Sequence, residues 1–319
     1  MKATRVSPTI FAILSDLLYK QDMKDIGICI VTLKSRDRLL DCLSSLFEQT
    51  QTSDIDVVVV DNNSRDGTVE QTRTQYPKLH LIANNENLGF SKAVNQGLKV
   101  LNARYLVLLN PDALVLNQAL DHLVEFMDEN LAVGICAPKV LNQNGTVQFQ
   151  SRRGEPRPWN VFSYFLGLSK LFPNDPRFSG YLLTYLDNTK VNEVDAVSGS
   201  CMMIRREVID EIGYLDERYF AYQEDTDYCV HARQAGWKVC YVPTAEVMHY
   251  GGKGGSNINP YFGAYHWHRS YYLYYRKNLT KNYPFWFHPL YYVAMLAKLI
   301  FSLIGLFFSR NKTAGTPKP

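Results

Sequence analysis

The chain has 319 residues, of which 46% are hydrophobic, enough to bury one large domain or one domain with an appendage. Its 34 basic and 31 acidic side chains leave a net charge of +3, and no basic run exceeds two, which excludes a nucleic-acid binder built on a basic patch. Six cysteines (Cys29, Cys42, Cys136, Cys201, Cys229 and Cys240) show neither CxxC nor zinc-ligand spacing, so they read as reduced thiols in a cytosolic domain.

Within residues 1–24, Ile10, Phe11, Ile13, Leu14, Leu17 and Leu18 make an apolar stripe at helical spacing. Asp16 interrupts it and no small-residue cleavage site follows, so it reads as a helix packed on the domain, with membrane contact as the alternative, and not as a secretory signal. From Asp25 apolar strands alternate with amphipathic helices, which predicts an α/β domain over 25–255 with a mostly parallel, Rossmann-like sheet flanked by helices. Strands are expected at 27–33, 55–60, 79–83, 105–109 and 133–138. Helices are expected at Leu39–Phe47, from Gly67 to about 74, at 91–101 and at 117–128. Residues 142–192 have weak periodicity and many Pro, Arg and aromatic side chains, as suits an insertion over a site. Regular patterning resumes with a strand at 196–204, helices at 206–212 and 225–235, the second stopped by Gly236, and a last strand at 238–242.

Ligands of open α/β sheets bind beyond the carboxyl ends of the strands, here marked by Thr32, Asp61, Asp112 and the turn at 87–90. Neither GxGxxG nor GxxxxGK[ST] occurs, so a nucleotide is expected to be held by side chains such as Asp61 rather than by a glycine cradle. Asp61 and Asp112 also read as helix caps. Pro111 pre-sets a turn that exposes Asp112, and a hard divalent cation takes one such carboxylate together with phosphate oxygens. Glu224, Asp225 and Asp227 open a helix, where the dipole favours acids even without a function. His249 precedes a loop holding Gly251, Gly252, Gly254 and Gly255 around Lys253, suited to closing on a phosphate.

In this order, VTLKSRDRL, VVVVDNNSRDGT, NENLGFSKAVNQGL, LVLLNPDAL and YQEDTDYCVHARQAGW resemble glycosyltransferase family 2 with the GT-A fold, and within it the rhamnosyltransferase-like branch. The resemblance implies that Thr32 and Asp61 contact the nucleoside and that Gly89, Phe90 and Asn95 shape its pocket. It implies that Asn110 and Asp112 form the DxD-like motif, and that Asp112 and His249 hold a divalent metal, Mg2+ or Mn2+. Asp225 would be the catalytic base, with Glu224 orienting the base or the acceptor. Asn110 stands where the family motif has its first Asp, which lowers the charge at the metal. The implied reaction is an inverting transfer from a nucleotide-sugar, dTDP-L-rhamnose by resemblance, to a cell-surface glycan or polyprenol-linked acceptor. The rival reading is a non-catalytic nucleotide-sugar-binding subunit of a polysaccharide assembly complex.

Residues 256–319 form an aromatic-rich C-terminal region in which 290–308 is apolar apart from Lys298, Ser302 and Gly305. As a helix it spans roughly 28 Å, barely the hydrocarbon core of a bilayer. Lys298, Ser302, Gly305 and Ser309 share one helical face, a narrow polar stripe that favours lying in the interface over spanning it. Trp286, Tyr291 and Tyr292 would sit at the headgroups, with Arg276, Lys277, Lys281, Arg310 and Lys312 facing anionic lipid. The alternative is a buried helix or a homo-oligomer contact. The expected location is the cytoplasmic face of the membrane, peripheral or monotopic.

Overall fold

Runs of β-branched and other apolar residues set the first half of the sheet. The computed structural model describes residues 23–251 and 259–308; the expected leading helix over 1–24 and the glycine loop with Lys253 lie outside the described residues. Strands β1 (Lys24–Thr32), β2 (Ile55–Asp61), β3 (His80–Ala83) and β4 (Ala103–Leu109) pair in parallel in the order β3-β2-β1-β4. Side chains alternate across a strand, so each serves two cores. Ile28, Val57 and Val107 face α1 (Arg36–Gln49) through Leu39, Leu43 and Leu46. Cys29, Val58 and Leu106 face the opposite layer, which begins after α2 (Thr68–Gln75) with α3 (Phe90–Leu98). Each fully buried Leu, Ile or Val contributes about 1.5–3 kcal/mol to holding these layers. Helix α3 lies so close to the sheet that a Cβ at Gly97 would stand 2.4 Å from the Cys29 sulfur, so that helix position requires glycine.

The second half is mixed. It comprises β5 (Ala113–Leu116), α4 (Ala119–Glu129), β6 (Val133–Leu141), β7 (Arg152–Arg153), the short helices α5 (Pro158–Phe165), α6 (Leu168–Leu171) and α7 (Pro176–Ser179), β8 (Asn192–Glu193), β9 (Ala196–Val197), β10 (Cys201–Arg205), α8 (Arg206–Ile212), α9 (Glu224–Gln234) and β11 (Lys238–His249). The sheet continues β4-β10-β6-β11-β5. Strand β11 runs parallel to β6, whereas β10 is antiparallel to β4 and β6, and β5 to β11.

Three elements depart from the sequence expectation. The strand expected over 196–204 breaks at Ser198, Gly199 and Ser200, and its first part pairs with β7. The strand expected to stop at 242 runs on to His249. Pro243 withholds a ladder N–H, the register shifts, and pairing with β6 resumes at Glu246. The four residues of β5 are too few to show a period, and they form a strand because β11 offers them an edge.

Helix α10 (Pro260–Tyr274) starts with Asn259 accepting from the Phe262 N–H at 3.1 Å and Pro260 in its first turn, a favoured start. Helix α11 (Phe287–Phe308) returns along it. Tyr275 stacks on Tyr291 at 3.8 Å between centroids, and Tyr272 meets Tyr292 at 5.3 Å. Farther along, Lys298 Nζ lies 3.9 Å from the Trp267 ring centroid and 4.2 Å from that of Phe165. The polar stripe taken to favour an interfacial helix is thus turned, at Lys298, onto the protein, where aromatic faces attract the ammonium.

The hairpin is fastened to α9. Lys277 Nζ lies 2.7 Å from Asp227 and 2.8 Å from Asp216, and Asn278 donates to Asp227 at 2.7 Å. Asp227 is 2% exposed, and breaking a buried pair by removing one partner costs about 3–5 kcal/mol. Because Lys277 keeps Asp216, the lower end is expected here. Asp227→Ala should lower stability by about 3 kcal/mol in urea titration and speed proteolysis between Tyr275 and Phe287. An unchanged midpoint with unchanged proteolysis would show that the hairpin is held elsewhere.

Candidate active site

The carboxyl ends of β1, β2 and β4 open on one edge of the sheet, and the reversal of β10 brings its start, Cys201, beside Leu109 on the same edge. Thr32 and Asp61 are register partners there, and both are almost fully buried. Asp61 Oδ2 accepts from the Ser64 N–H at 3.0 Å, while Asp61 Oδ1 and Thr32 Oγ1 have no partner among the described residues. Buried polar atoms are seldom left unsatisfied, so the pair marks a place for an outside polar group. Asp61 does not cap α2; Asp66 accepts from the Thr68 N–H there at 3.1 Å. A cavity of about 540 Å³ lined by Lys34, Arg36, Arg38, Asp41 and Asp66 opens on the loop that follows Thr32.

Asn62 holds the turn that leads into α3. Its amide donates to Asn87 Oδ1 at 2.9 Å and to the Gly89 carbonyl at 3.1 Å, and it accepts from the Leu88 N–H at 3.1 Å. Gly89 has φ +85°, and a Cβ there would lie 2.7 Å from the Phe220 carbonyl, which the Phe90 N–H reaches at 2.6 Å. Gly89 and Phe90 therefore join the pocket wall to the loop before α9. Asn95, expected at the pocket, is placed differently. Its amide donates to the Leu215 carbonyl at 2.9 Å and to Glu217 at 3.0 Å, and accepts from the Leu215 N–H at 3.1 Å, so it ties α3 to that loop instead.

Asp112, Asn110 and His249 meet. His249 Nε2 lies 3.0 Å from Asp112 Oδ1 and 3.1 Å from Asn110 Nδ2. Gln148, unmarked in the sequence, donates through Nε2 to Asn142 and turns Oε1 toward His249 Nδ1 at 2.8 Å. With Nδ1 turned to Gln148, Nε2 faces the Asp112 carboxylate and the Asn110 amide. This is the orientation that an outer partner gives a metal-ligating histidine. A proton on Nε2 satisfies this 3.0 Å contact, and a bound cation would take that proton's place. Among the described residues no group of three or more His, Cys, Asp or Glu is arranged to hold a metal ion by itself.

Asp225 and Glu224 open α9, as expected, but their surroundings differ. Asp225 Oδ2 accepts from Arg153 Nη2 at 2.6 Å and from the Gly199 N–H at 3.1 Å; Oδ1 accepts from the Thr226 N–H and hydroxyl at 2.6 and 3.1 Å. Arg153 is a residue that sequence reasoning missed. It sits in the aperiodic stretch, and the pairing of β7 with β9 carries it to Asp225. Burial penalises the Arg153 charge, and the facing Asp225 more than offsets that. Glu224 has no such cation. Burial first, and the adjacent Asp225 second, push its carboxyl up to about 8, and its Oε2 has no partner.

A carboxyl whose pKa is raised on folding binds its proton more tightly in the folded state, so stability falls as pH rises from the unfolded value, near 4.3, to about 8. Glu224→Gln removes that dependence. The variant should match wild type in thermal midpoint near pH 4 and exceed it progressively toward pH 8, by on the order of 1–3 kcal/mol. A constant difference across that range would mean that Glu224 does not titrate there.

Comparison with known proteins accords with this arrangement. Residues 27–213, more than half of the chain, match the domain of glycosyl transferase family 2. The chain is 29% identical over 234 residues to an N-acetylglucosaminyl-diphospho-decaprenol L-rhamnosyltransferase of Mycobacterium tuberculosis, covering 70% of this chain and 75% of that one. It is 24% identical over 210 residues to the dTDP-rhamnosyl transferase RfbF of Shigella flexneri, covering 65% and 64%. Among solved structures, S. aureus TarS 1-349 in complex with UDP-GlcNAc superposes with a TM-score of 0.53 at 17% identity, covering 81% of this chain and 68% of that one. The domain match, the mixed sheet and the rhamnosyltransferase relatives together establish that the chain is a glycosyltransferase with the GT-A fold and belongs to the rhamnosyltransferase-like part of family 2.

Proposed function

We propose that the enzyme moves L-rhamnose, with inversion, from dTDP-L-rhamnose to a lipid-linked or cell-surface glycan at the cytoplasmic face of a membrane. The donor and the lipid-linked acceptor are taken from what the relatives are named for. The observation that carries the reading is the link across the break in the sheet: the Asn110 N–H reaches the Ser200 carbonyl at 3.0 Å while the Gly199 N–H reaches Asp225. One tripeptide thus joins the Asp112–His249 pair to the acid that opens α9.

In this reading Thr32 Oγ1 and Asp61 Oδ1 bind the nucleoside, and Phe90 closes its pocket; its ring lies 3.6 Å from a Cβ built on Gly199. Asp112 and His249, with Asn110 beside them, would hold Mg2+ or Mn2+. When bound, the cation supplies Lewis-acid neutralisation of charge on the leaving diphosphate. Lys253, beyond His249, would reach the same phosphates. Asp225 takes the proton of the acceptor hydroxyl as that oxygen bonds to the anomeric carbon and the bond from this carbon to the diphosphate oxygen breaks, releasing dTDP. The Thr226 hydroxyl can rotate away from Asp225 Oδ1 and leave that oxygen to the acceptor. Arg153 and Gly199 hold the other oxygen and so aim the group. Glu224, next to it and without a cation of its own, would orient the acceptor. Exposed apolar side chains on α11, such as Val293 and Phe301, suit contact with the membrane that carries such an acceptor.

Asp225→Asn keeps shape and removes the proton acceptor. It should retain the thermal shift with dTDP-L-rhamnose while rhamnosyl transfer falls by about 100-fold or more. Near-normal turnover would reject Asp225 as base. Asp112→Ala and His249→Ala should each weaken the metal-dependent part of the dTDP shift, and EDTA should inactivate the wild type. Full activity in excess chelator would sink the metal role and leave the transfer reading standing.

A further inference from the structure

The insertion is built inside out. In α5 and the segment after it, the side chains that turn inward are small and polar: Ser163 is 1% exposed and Ser169 is 5%. Trp159, Phe162, Phe165, Leu166, Leu171 and Phe172 are between 46% and 71% exposed. A surface helix of a soluble domain shows the reverse, and a contiguous apolar patch of this kind marks a contact site.

This patch continues into α11. Phe165, the last residue of α5, meets Trp267 of α10 edge-on at 5.9 Å, and Lys298 of α11 lies over both rings. Helix α11 has no buried residue and shows Val293, Leu296, Ile300, Phe301 and Ile304 to the outside. Three elements distant in sequence thus meet around a single sheltered ammonium, and α5 and α11 each leave apolar side chains exposed beside it. Charge selects the occupant. Residues 247–319 contain nine Lys and Arg (Lys253, Arg269, Arg276, Lys277, Lys281, Lys298, Arg310, Lys312 and Lys318) and no Asp or Glu. Lys277 is held by Asp216 and Asp227 and Lys298 by aromatic rings, whereas Arg276 and Lys281 are exposed, and a second copy meeting this face about a two-fold axis would set these like charges against each other with no carboxylate from the hairpin to pair them. Anionic headgroups pair them, and acyl chains take the aromatic and aliphatic side chains.

We propose that α5, α6 and α11 form one membrane-seating face whose partner is an anionic phospholipid bilayer. The proposal rests on the membrane part of the function given above and extends it to the insertion. Strand β7, which carries Arg153 onto Asp225, leads directly into α5. Seating α5 therefore sets the base side of the site at the bilayer surface, where the head of a lipid-linked acceptor meets Asp225 without leaving its leaflet. The antiparallel pairing with α10 also keeps α11 lying along the domain.

The test is flotation of the full-length protein with phosphatidylcholine vesicles, with and without phosphatidylglycerol. Wild type should bind, and more tightly when phosphatidylglycerol is present. Phe162→Glu with Leu171→Glu, both at exposed positions, should bind roughly tenfold or more weakly, as should Ile300→Glu with Ile304→Glu on α11. The fluorescence component lost in Trp159→Phe should be quenched by lipids brominated along the acyl chain. Release of dTDP by hydrolysis of dTDP-L-rhamnose, followed in parallel, keeps the variants comparable and reads the donor site separately from the membrane. If the insertion variant binds like wild type while the α11 variant is released, α11 anchors alone and the proposal falls, with the transfer reading intact. If wild type binds neither vesicle, the proposal falls together with the membrane part of the function. If the insertion variant changes the oligomeric state in lipid-free solution, the face belongs to a second copy and the proposal is overturned.

Discussion

Two main-chain groups set the geometry on which the rest of the site depends: the Gly199 N–H, which reaches Asp225 at 3.1 Å, and the Ser200 carbonyl, which receives the Asn110 N–H at 3.0 Å. The Ser200 carbonyl continues the antiparallel ladder one rung beyond the Cys201–Leu109 pair, and the Gly199 N–H reaches a side chain because the strand is interrupted there. In a continuous strand that N–H would be spent on a neighbouring strand, since every buried main-chain group must find a partner. The break also returns β9 to β7, which delivers Arg153. A Cβ at residue 199 would make ordinary contact with the Phe90 ring at 3.6 Å and with Asp225 at 3.9 Å, so only a side chain larger than alanine would crowd the site.

The first turn of α9 gathers three acids, and their fates differ because their neighbours do. Asp225 faces a buried guanidinium and two N–H groups. Asp227 faces Lys277 and Asn278, and serves to hold the C-terminal hairpin. Glu224 makes no ion pair among the described residues, and burial, with Asp225 beside it, raises its pKa by more than the charge of Arg153 lowers it. The helix dipole favours all three alike, so it cannot separate a candidate base from a fastener. The separation comes from Arg153, 72 residues before Asp225, and Lys277, 50 residues after Asp227.

The hairpin and the insertion are one assembly. Tyr274 donates to Glu155 at 3.1 Å, and the Tyr181 and Tyr271 hydroxyls meet at 2.6 Å, so α10 grips the segment that carries Arg153. The excess of tyrosine in this region has a physical use: a ring that packs like a hydrophobe and a hydroxyl that satisfies a buried polar group. The same grip leaves α11 and the apolar side chains of α5 on the outside.

Much of this was legible in the amino-acid sequence. Strand and helix alternation is set by local periodicity, so the first half of the sheet and its helices fall within a few residues of expectation. Thr32, Asp61, Asp112, Glu224, Asp225 and His249 stand out because polar residues at the ends of apolar runs are visible in one dimension. Partnership was not visible. Gln148 meets His249 across 101 residues, Asn95 meets Leu215 across 120, and neither lies in a pattern that announces it. Nor could the polar stripe of α11 show which way it faces. Periodicity says that residues share a face, and only packing says what that face meets. Here tertiary structure decided that Lys298 turns to two aromatic rings on the protein, because that surface satisfies an ammonium and hydrocarbon does not.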